Sequence, residues 1–413
     1  MSRQLVISRI SASPTIVFSL IVVFYTLVFL AGTTEQLLGD ERRYAIQAEN
    51  LTNGYFIPQE RKWIDNGPGY PLLLAPFAAA DLDWFWAKLL NPLFLALAVF
   101  VSYKTFRSYL SQERAVIATL GLAAYFPFLR DVHRMVTEPL AYLLVAASVY
   151  FFCKSWRESN MLAAALFGVS FGFLCLTKVI FGYILAIGLL CAVAGMLVRS
   201  TRQLRCLSVG LVVAAVICAP YLVYTKSLTG KTFYWADMGS YNLYWMSSPR
   251  ASDTGDWHAI DEVFSDPNLE FHRPFFEQLS KIPFEERSDA LAEKAIENIK
   301  AHPSKYLKNW AANLGRMAFN YPYDYVPQSM NTYFYFVPNA IVLFMLGATL
   351  WRWRFHRFSV PPEIIIAATV AFIVLGAMSL LHANARMARP PLFLIAPLIA
   401  VVLGATRQKI AAD

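Results

Sequence analysis

The segment Leu37–Phe56 sets Asp40, Glu41, Arg42 and Arg43 in four consecutive positions, just past an apolar run that starts near Pro14. Two carboxylates and two guanidinium groups at such a boundary either mark where water begins or carry a reaction there. As reacting groups, a carboxylate takes or orients a proton and cations hold an anion. Adjacent residues on a helix point about 100° apart. Asp40 and Glu41 therefore cannot both face one substrate atom, and at most one of Arg42 and Arg43 faces a pocket with Asp40. Asp is also a favoured helix cap and suits the positive end of a helix, so Asp40 has a structural reading too. Lys178 stands alone between two apolar runs. Ionisable groups in such a place are costly and functional by default, although a lysine can also snorkel to the surface. Arg386 and Arg389 flank Met387 and Ala388 just outside the last apolar run, and Glu138 opens another before Pro139. Arg130, His133 and Arg134 precede Glu138, while Arg61, Lys62 and Asp65 lie ahead of Gly67-Pro68. Asp65 is either a second acid of the site or a turn residue.

The elements that must position these groups are apolar. Of 413 residues, 57% are hydrophobic and only 15% charged, against about 25% charged in soluble globular chains. Mean hydropathy is +0.43. The chain reads as an all-α polytopic membrane protein with about ten transmembrane helices, at roughly 14–32, 87–105, 113–128, 138–153, 160–177, 179–198, 206–224, 333–350, 361–381 and 390–406. The first reads as a retained helix rather than a signal peptide, because its core from Thr15 to Leu30 is long for one and no small-x-small cleavage site follows.

Basic residues set the orientation. With the N-terminus inside, the inner loops collect Arg3 and Arg9, Lys104, Arg107 and Arg114, Lys154 and Arg157, Arg199, Arg202 and Arg205, Arg352, Arg354 and Arg357, and Arg407 and Lys409. Few acids oppose them. This asymmetry accounts for the net +8 without nucleic acid and makes both termini cytoplasmic. The chain then divides into an N-terminal membrane module, 1–224, whose first outer loop is 33–86; an outer domain, 225–332; and C-terminal membrane helices, 333–413.

In the first outer loop, Tyr44, Ala45, Ala48 and Leu51 have helical spacing and Asn53-Gly54 supplies a stop. The run "NGPGYPLLLAPF", Asn66–Phe77, is too short to span and reads as re-entrant or interfacial. In the outer domain, Leu291, Ala295, Ile296 and Ile299 mark one helix. A second begins at Pro303 with the stripe Tyr306, Leu307, Trp310, Ala311, Leu314, Met317 and Ala318, leaving Lys305, Lys308 and Arg316 off it. That second helix either lies in the membrane interface or packs on its own domain. The aromatic, Asp-rich stretch from Phe233 to Phe276 suits sugar binding or an interfacial belt. Cys153, Cys175, Cys191, Cys206 and Cys218 lie in or beside apolar runs with no CxxC, which speaks against a disulfide framework or zinc site and reads them as small core residues. The six histidines are scattered, Asp81-Leu-Asp83 reads as a solvated connector, and Gly168-x-x-x-Gly172 as helix packing.

Several stretches resemble the polyprenyl-phosphate-sugar-dependent glycosyltransferases of the C superfold, the group of the lipid A aminoarabinose transferase and the protein O-mannosyltransferases. "GDERRYAIQAENLTNGYF" is similar to the family's first outer loop with its catalytic acid, and "GPGYPLLLAPF" to the Pro-rich segment that closes it. "MVTEPLAYLL" resembles the start of the fourth helix, "LCLTKVIFGYIL" the Thr-Arg/Lys turn after the fifth, and "RMARPPLFLIAPL" the late Arg-Pro motif. "IKAHPSKYLKNWAANLGRMAF" resembles a helix common in bacterial members. The chain is shorter than the aminoarabinose transferase or O-mannosyltransferase pattern, which leaves the acceptor open.

The resemblance implies an inverting transfer from a polyprenyl-phosphate sugar to a hydroxyl of a glycan, glycolipid or protein, on the periplasmic face of a bacterial inner membrane. It implies Asp40 as base, with Glu41 as the alternative; Lys178, Arg386, Arg389, Arg43 and Lys62 as candidates for the donor phosphate; and Tyr44, Asp65, Tyr70, Glu138 and His133 as substrate contacts. No cofactor is expected. A nucleotide-binding glycine loop is neither required nor present, and no His pairing calls for a metal. Two rival readings stay open. A transporter or flippase would want ionisable groups at mid-membrane in symmetric halves. A ligase using a lipid diphosphate would want a basic, His-bearing second outer region, and 225–332 is mixed.

Overall fold

A computed structural model describes residues 14–58, 60–327, 330–356 and 359–404. Arg3, Arg9, Arg357, Arg407 and Lys409 of the inner-loop count lie outside these described residues. Among the described residues every regular element is a helix. The spanning helices are α1 (Pro14–Gly32), α5 (Leu90–Arg107, preceded by the short α4, Trp84–Lys88), α8 (Glu138–Glu158), α10 (Ile180–Val198), α11 (Arg202–Thr229), α17 (Asn331–His356) and α18 (Pro362–Ser379). These seven are long and apolar enough to cross a membrane. An eighth crossing arises if α6 (Gln112–Ala123) and the bent segment Phe126–Val132, which ends in α7 (Leu129–Val132), count as one span; the bend is 51°. Two further expected spans coincide with shorter apolar helices, α9 (Met161–Thr177) and α19 (Leu392–Gly404).

The first outer loop holds α2 (Asp40–Thr52) and α3 (Gly69–Ala79). Gly39, at φ +56°, takes the left-handed turn into α2, so Asp40 is the first helical residue rather than the cap. Asp40 and Glu41 then face the positive helix end. Gly54, at φ +84°, follows the other end. At eleven residues α3 is about 16 Å long, half a bilayer core. The segment 225–332, expected as the outer domain, holds α12 (Met238–Met246), α13 (Ile260–Ser265), α14 (Arg273–Lys281), α15 (Phe284–Ala301) and α16 (Pro303–Phe319).

Buried apolar side chains of the spanning helices form one core, in which α9 is sandwiched by α8 and α11. Gly168 and Gly172 make this approach possible. A Cβ on Gly168 would strike the Gly210 carbonyl oxygen, and one on Gly172 would come within 3.0 Å of the Ala214 Cα. Cys153, Cys175, Cys206 and Cys218 are buried free thiols, and Cys191, within α10, is an exposed one.

The aromatic stretch of the segment 225–332 divides: Phe233, Trp257, Phe264 and Phe271 stay exposed, while others turn inward. Tyr241, Tyr244, Trp245 and Phe276 form that segment's own core, closed by Asp253, which accepts from His272 Nε2 at 3.0 Å and from Tyr325 and Ser248. These residues supply neither an interfacial belt nor an open sugar platform, because folding consumes their faces. Helix α16 also reverses the simple amphipathic expectation. Its polar side, Asn309, Asn313 and Arg316, is buried, while Leu307 and Leu314 face out. Arg316 donates at 2.9 Å to each of Thr254 Oγ1, the Thr254 carbonyl and the Gly255 carbonyl, so a residue expected at the surface is a fully enclosed bracket.

Candidate active site

Three chain segments converge on Asp40. The first is α2 itself. The second is the turn Thr177–Lys178, where α9 gives way to α10 with Lys178 in extended backbone. The third is the connector between α18 and α19, which carries Arg386. Gly67-Pro68-Gly69 docks the outer loop onto the turn. A Cβ on Gly67 would collide with the Leu176 carbonyl oxygen, and one on Gly69 would lie 2.5 Å from Thr177 Oγ1. Only glycine permits that approach. The α18–α19 connector is held by α16. Asn313 donates to the Ser379 carbonyl at 2.9 Å and to the Leu381 carbonyl at 2.5 Å, and accepts from the Ala383 amide at 3.0 Å. Asn384 then accepts from the Arg386 amide at 3.1 Å.

The charged side chains form one alternating chain. Arg43 Nη2 donates to Asp40 Oδ1 at 2.8 Å, and Arg386 Nη2 to Asp40 Oδ2 at 2.7 Å. Arg386 Nε lies 3.2 Å from Glu138 Oε1, which accepts from Lys178 Nζ at 2.7 Å. Three cations thus bracket two carboxylates. Glu138 is wholly enclosed, whereas the side chains of Asp40 and Arg386 keep 23% and 28% of their surface open. The accessible acid is therefore Asp40. Burial raises its carboxyl pKa, but Arg386, Arg43 and Lys178 outweigh this and hold it at about 2, below its ordinary 3.8. The carboxylates, Glu138 foremost, push Arg386 further up, so it stays a cation.

Tyr44 and Tyr70 are buried beside this chain, rings edge to face at 5.2 Å, with Arg43 over Tyr44 at 5.3 Å. Asp65 accepts from Trp63 Nε1 at 3.1 Å and lies within electrostatic reach of Arg43. Arg42 points to solvent.

Four of the residues singled out from sequence sit elsewhere. Glu41 projects from the other side of α2, as the 100° offset requires. It accepts from the Met135 amide at 2.7 Å and the Leu38 amide at 3.1 Å, and lies 3.3 Å from Lys88 Nζ, so its capacity is spent on structure. Arg389 is 2% exposed, held by Asp131, the Pro127 carbonyl at 2.9 Å and Tyr335 Oη at 3.0 Å, so its guanidinium is tied away from Asp40. Lys62 reaches Glu285 of α15 at 3.4 Å. The His133 ring packs on Gly32 at the end of α1, and burial and Arg134 lower its pKa.

Sequence reasoning missed Lys88, Asp131, Gln47 and Asn66. Lys88 is buried, donating to the Thr34 carbonyl at 2.7 Å; its signal was a lone lysine at the head of an apolar run. Asp131 lay in plain view between Arg130 and His133, and its partner is far away in sequence. Among the described residues no group of three or more His, Cys, Asp or Glu is arranged to hold a metal ion.

The family described as dolichyl-phosphate-mannose-protein mannosyltransferase matches residues 65–224. Among curated protein sequences none matches. Of solved structures, the archaeal oligosaccharyltransferase AglB from Archaeoglobus fulgidus, in complex with an inhibitory peptide and a dolichol-phosphate, aligns at 14% identity and TM-score 0.50 over 93% of this chain and 50% of that one. Its apo form aligns at 12% identity and TM-score 0.54, over 95% and 51%. ArnT from Cupriavidus metallidurans, bound to undecaprenyl phosphate, aligns at 15% identity and TM-score 0.45, over 95% and 77%. The chain spans about half the length of the oligosaccharyltransferase. The fold is that of the C-superfold membrane glycosyltransferases, in agreement with the resemblance drawn from the sequence.

Proposed function

We propose that this protein transfers a sugar from a polyprenyl-phosphate donor to an acceptor hydroxyl, with inversion, at the outer face of a bacterial inner membrane. The observation that carries the reading is the half-open Asp40 carboxylate gripped by Arg43 and Arg386, with Glu138 and Lys178 behind them. The lipid phosphate takes the place of Asp40 as partner of Arg386 and Arg43, with Lys178 adding charge. Losing those guanidinium contacts raises the proton affinity of Asp40 from its resting value. Asp40 then accepts the acceptor's hydroxyl proton as that oxygen bonds to the anomeric carbon. The carbon–oxygen bond to the phosphate breaks, and its electron pair stays on the phosphate, where the cations stabilise the charge.

An apolar cavity of about 390 Å³ supports a lipid donor. It lies between spanning helices, lined by Val145, Phe171, Phe181, Ile184, Leu211 and Leu394. Val145 sits seven residues along α8 from Glu138, about 10 Å in helix rise, and the lining continues away from Glu138 to Trp156, so the cavity suits an isoprenoid tail rather than its phosphate. The oligosaccharyltransferase of the same fold was solved with a dolichol-phosphate. The ion pairs at helix ends also speak against a transporter, which would want them at mid-membrane.

The test compares surface glycans, glycolipids and glycoproteins by mass spectrometry in cells with the wild type, no protein, or equally expressed Asp40→Asn. Loss of the same sugar in the null and the mutant is expected. Wild-type glycosylation in Asp40→Asn would exclude Asp40 as the base and the mechanism with it.

A further inference from the structure

The site face of α2 extends past Arg43. Asp40, Arg43, Tyr44 and Gln47 recur at i, i+3, i+4 and i+7, which puts Gln47 on the same face as Asp40, about 10 Å along the helix. Gln47 is 4% exposed and carries no apolar task there. Its Oε1 accepts from Asn66 Nδ2 at 3.1 Å. Asn66 lies between Asp65, which is within electrostatic reach of Arg43, and Gly67, which is seated on Leu176 beside the Lys178 turn. The amide pair therefore occupies the ground between the two cationic ends of the site. Its hydrogen bonding is incomplete, because Asn66 Oδ1 is buried without a partner. The hydroxyl of Tyr70, four residues on and 1% exposed, is buried within reach of Asn91. Buried polar groups are normally satisfied, and exceptions in a site call for a ligand.

We propose that Gln47 and Asn66 form the subsite for the hydroxyls of the transferred sugar, and that this sugar is a neutral hexose or pentose. This deepens the reading of a polyprenyl-phosphate donor and rests on it. Carboxamides both donate and accept, as sugar hydroxyls do, and so match a polyol without net charge. The three cations nearby, Arg43, Arg386 and Lys178, are there for the phosphate. In this division the cations hold the lipid phosphate and the amides choose the sugar.

The experiment measures binding to the full chain in detergent, without acceptor, of decaprenyl phosphate alone and of decaprenyl phosphates carrying a neutral hexose, a neutral pentose or an aminopentose. A neutral sugar is expected to tighten binding about tenfold over the bare lipid phosphate, the worth of one or two neutral hydrogen bonds. Asn66→Ala and Gln47→Ala should lose that increment while binding the bare lipid phosphate as the wild type does. The isosteric Asn66→Asp and Gln47→Glu keep the packing and should lose it too. Retention of the full increment in all four variants, or a preference for the aminopentose, overturns the subsite while leaving the transferase reading intact. A wild type that binds neither the bare lipid phosphate nor its sugar derivatives overturns that reading and the subsite together.

Discussion

At the scale of single residues, Asp40 and Glu41 are neighbours with opposite duties, and substitution separates them. Glu41 and Lys88 are both almost wholly enclosed. Removing one partner of such a buried pair strands the other charge and costs about 3–5 kcal/mol. Glu41→Gln should therefore lower the thermal unfolding temperature of the purified protein markedly. Asp40→Asn, at a partly open position, should lower that temperature less than Glu41→Gln does and abolish transfer. The reverse pattern in unfolding and activity would exchange the two roles. Asp40 also has a pH signature. Its folded pKa of about 2 lies below its ordinary 3.8, so its ion pairs stabilise the fold fully above about pH 4. That contribution fades as the pH falls from there towards 2. The stability difference between wild type and Asp40→Asn should shrink over that window when unfolding is followed as a function of pH, and a difference that is flat down to pH 2 would disprove the depressed value. The sequence contained half of this reading: helical geometry says that only one of the two acids faces the pocket, but not which. The choice depends on Met135, Lys88 and Arg386, brought in by tertiary packing. For the same reason Arg389 read as a phosphate ligand, since nothing near it in the chain announces Asp131 as its partner.

At the scale of elements, the site depends on two docking joints. The first is the seat of Gly67-Pro68-Gly69 on the end of α9. Replacing Gly67 with Ala drives a methyl group into the Leu176 carbonyl oxygen, so the outer loop must lift away from Lys178. Transfer activity should fall at least tenfold, with a modest loss of stability, because the spanning core of α8, α9 and α11 is untouched. Wild-type kinetics for Gly67→Ala would mean that the joint tolerates this displacement. The second joint is α16, whose Asn313 brackets the connector leading to Arg386. This joint was illegible in the sequence. An amphipathic pattern reports which face is apolar. It cannot say that the polar face of α16 is the buried one, fastened to backbone carbonyls at Ser379 and Leu381. The apolar face, with Leu307 and Leu314 outward, is beside spanning helix α17, where the tilted rings of Phe319 and Phe336 pack at 5.3 Å. Outside spans, by contrast, short signals such as Asn53-Gly54 and Pro303 marked helix ends well, because they act through backbone geometry alone.

At the scale of the whole molecule, the chemistry is gathered at one end of the helix bundle, and the question is which side of the membrane that end meets. Of the ten expected spans, seven are long and apolar enough to cross a membrane among the described residues, an eighth if the bent pair counts as one; their orientation is an expectation from the basic loops. Lys104, Arg107 and Arg114 cluster around the junction of α5 and α6, and Arg199, Arg202 and Arg205 around that of α10 and α11. Both junctions lie at the helix ends opposite to Asp40, Glu138 and Lys178. If the basic end is cytoplasmic, the outer domain and Asp40 are periplasmic, as a donor carried by a translocated lipid requires. The native thiols make this measurable. Cys153, Cys175, Cys206 and Cys218 are buried, and only Cys191, within α10, needs replacement by serine. In that background, a cysteine at the exposed Ser265 of the outer domain should react with a membrane-impermeant maleimide in intact spheroplasts. One at the exposed Ser111, in the α5–α6 junction, should react only after permeabilisation. The opposite labelling pattern would invert the protein and put Asp40 on the cytoplasmic face. A donor with its sugar on the outer leaflet would then be out of reach, and the acceptor would have to be sought among cytoplasmic hydroxyls.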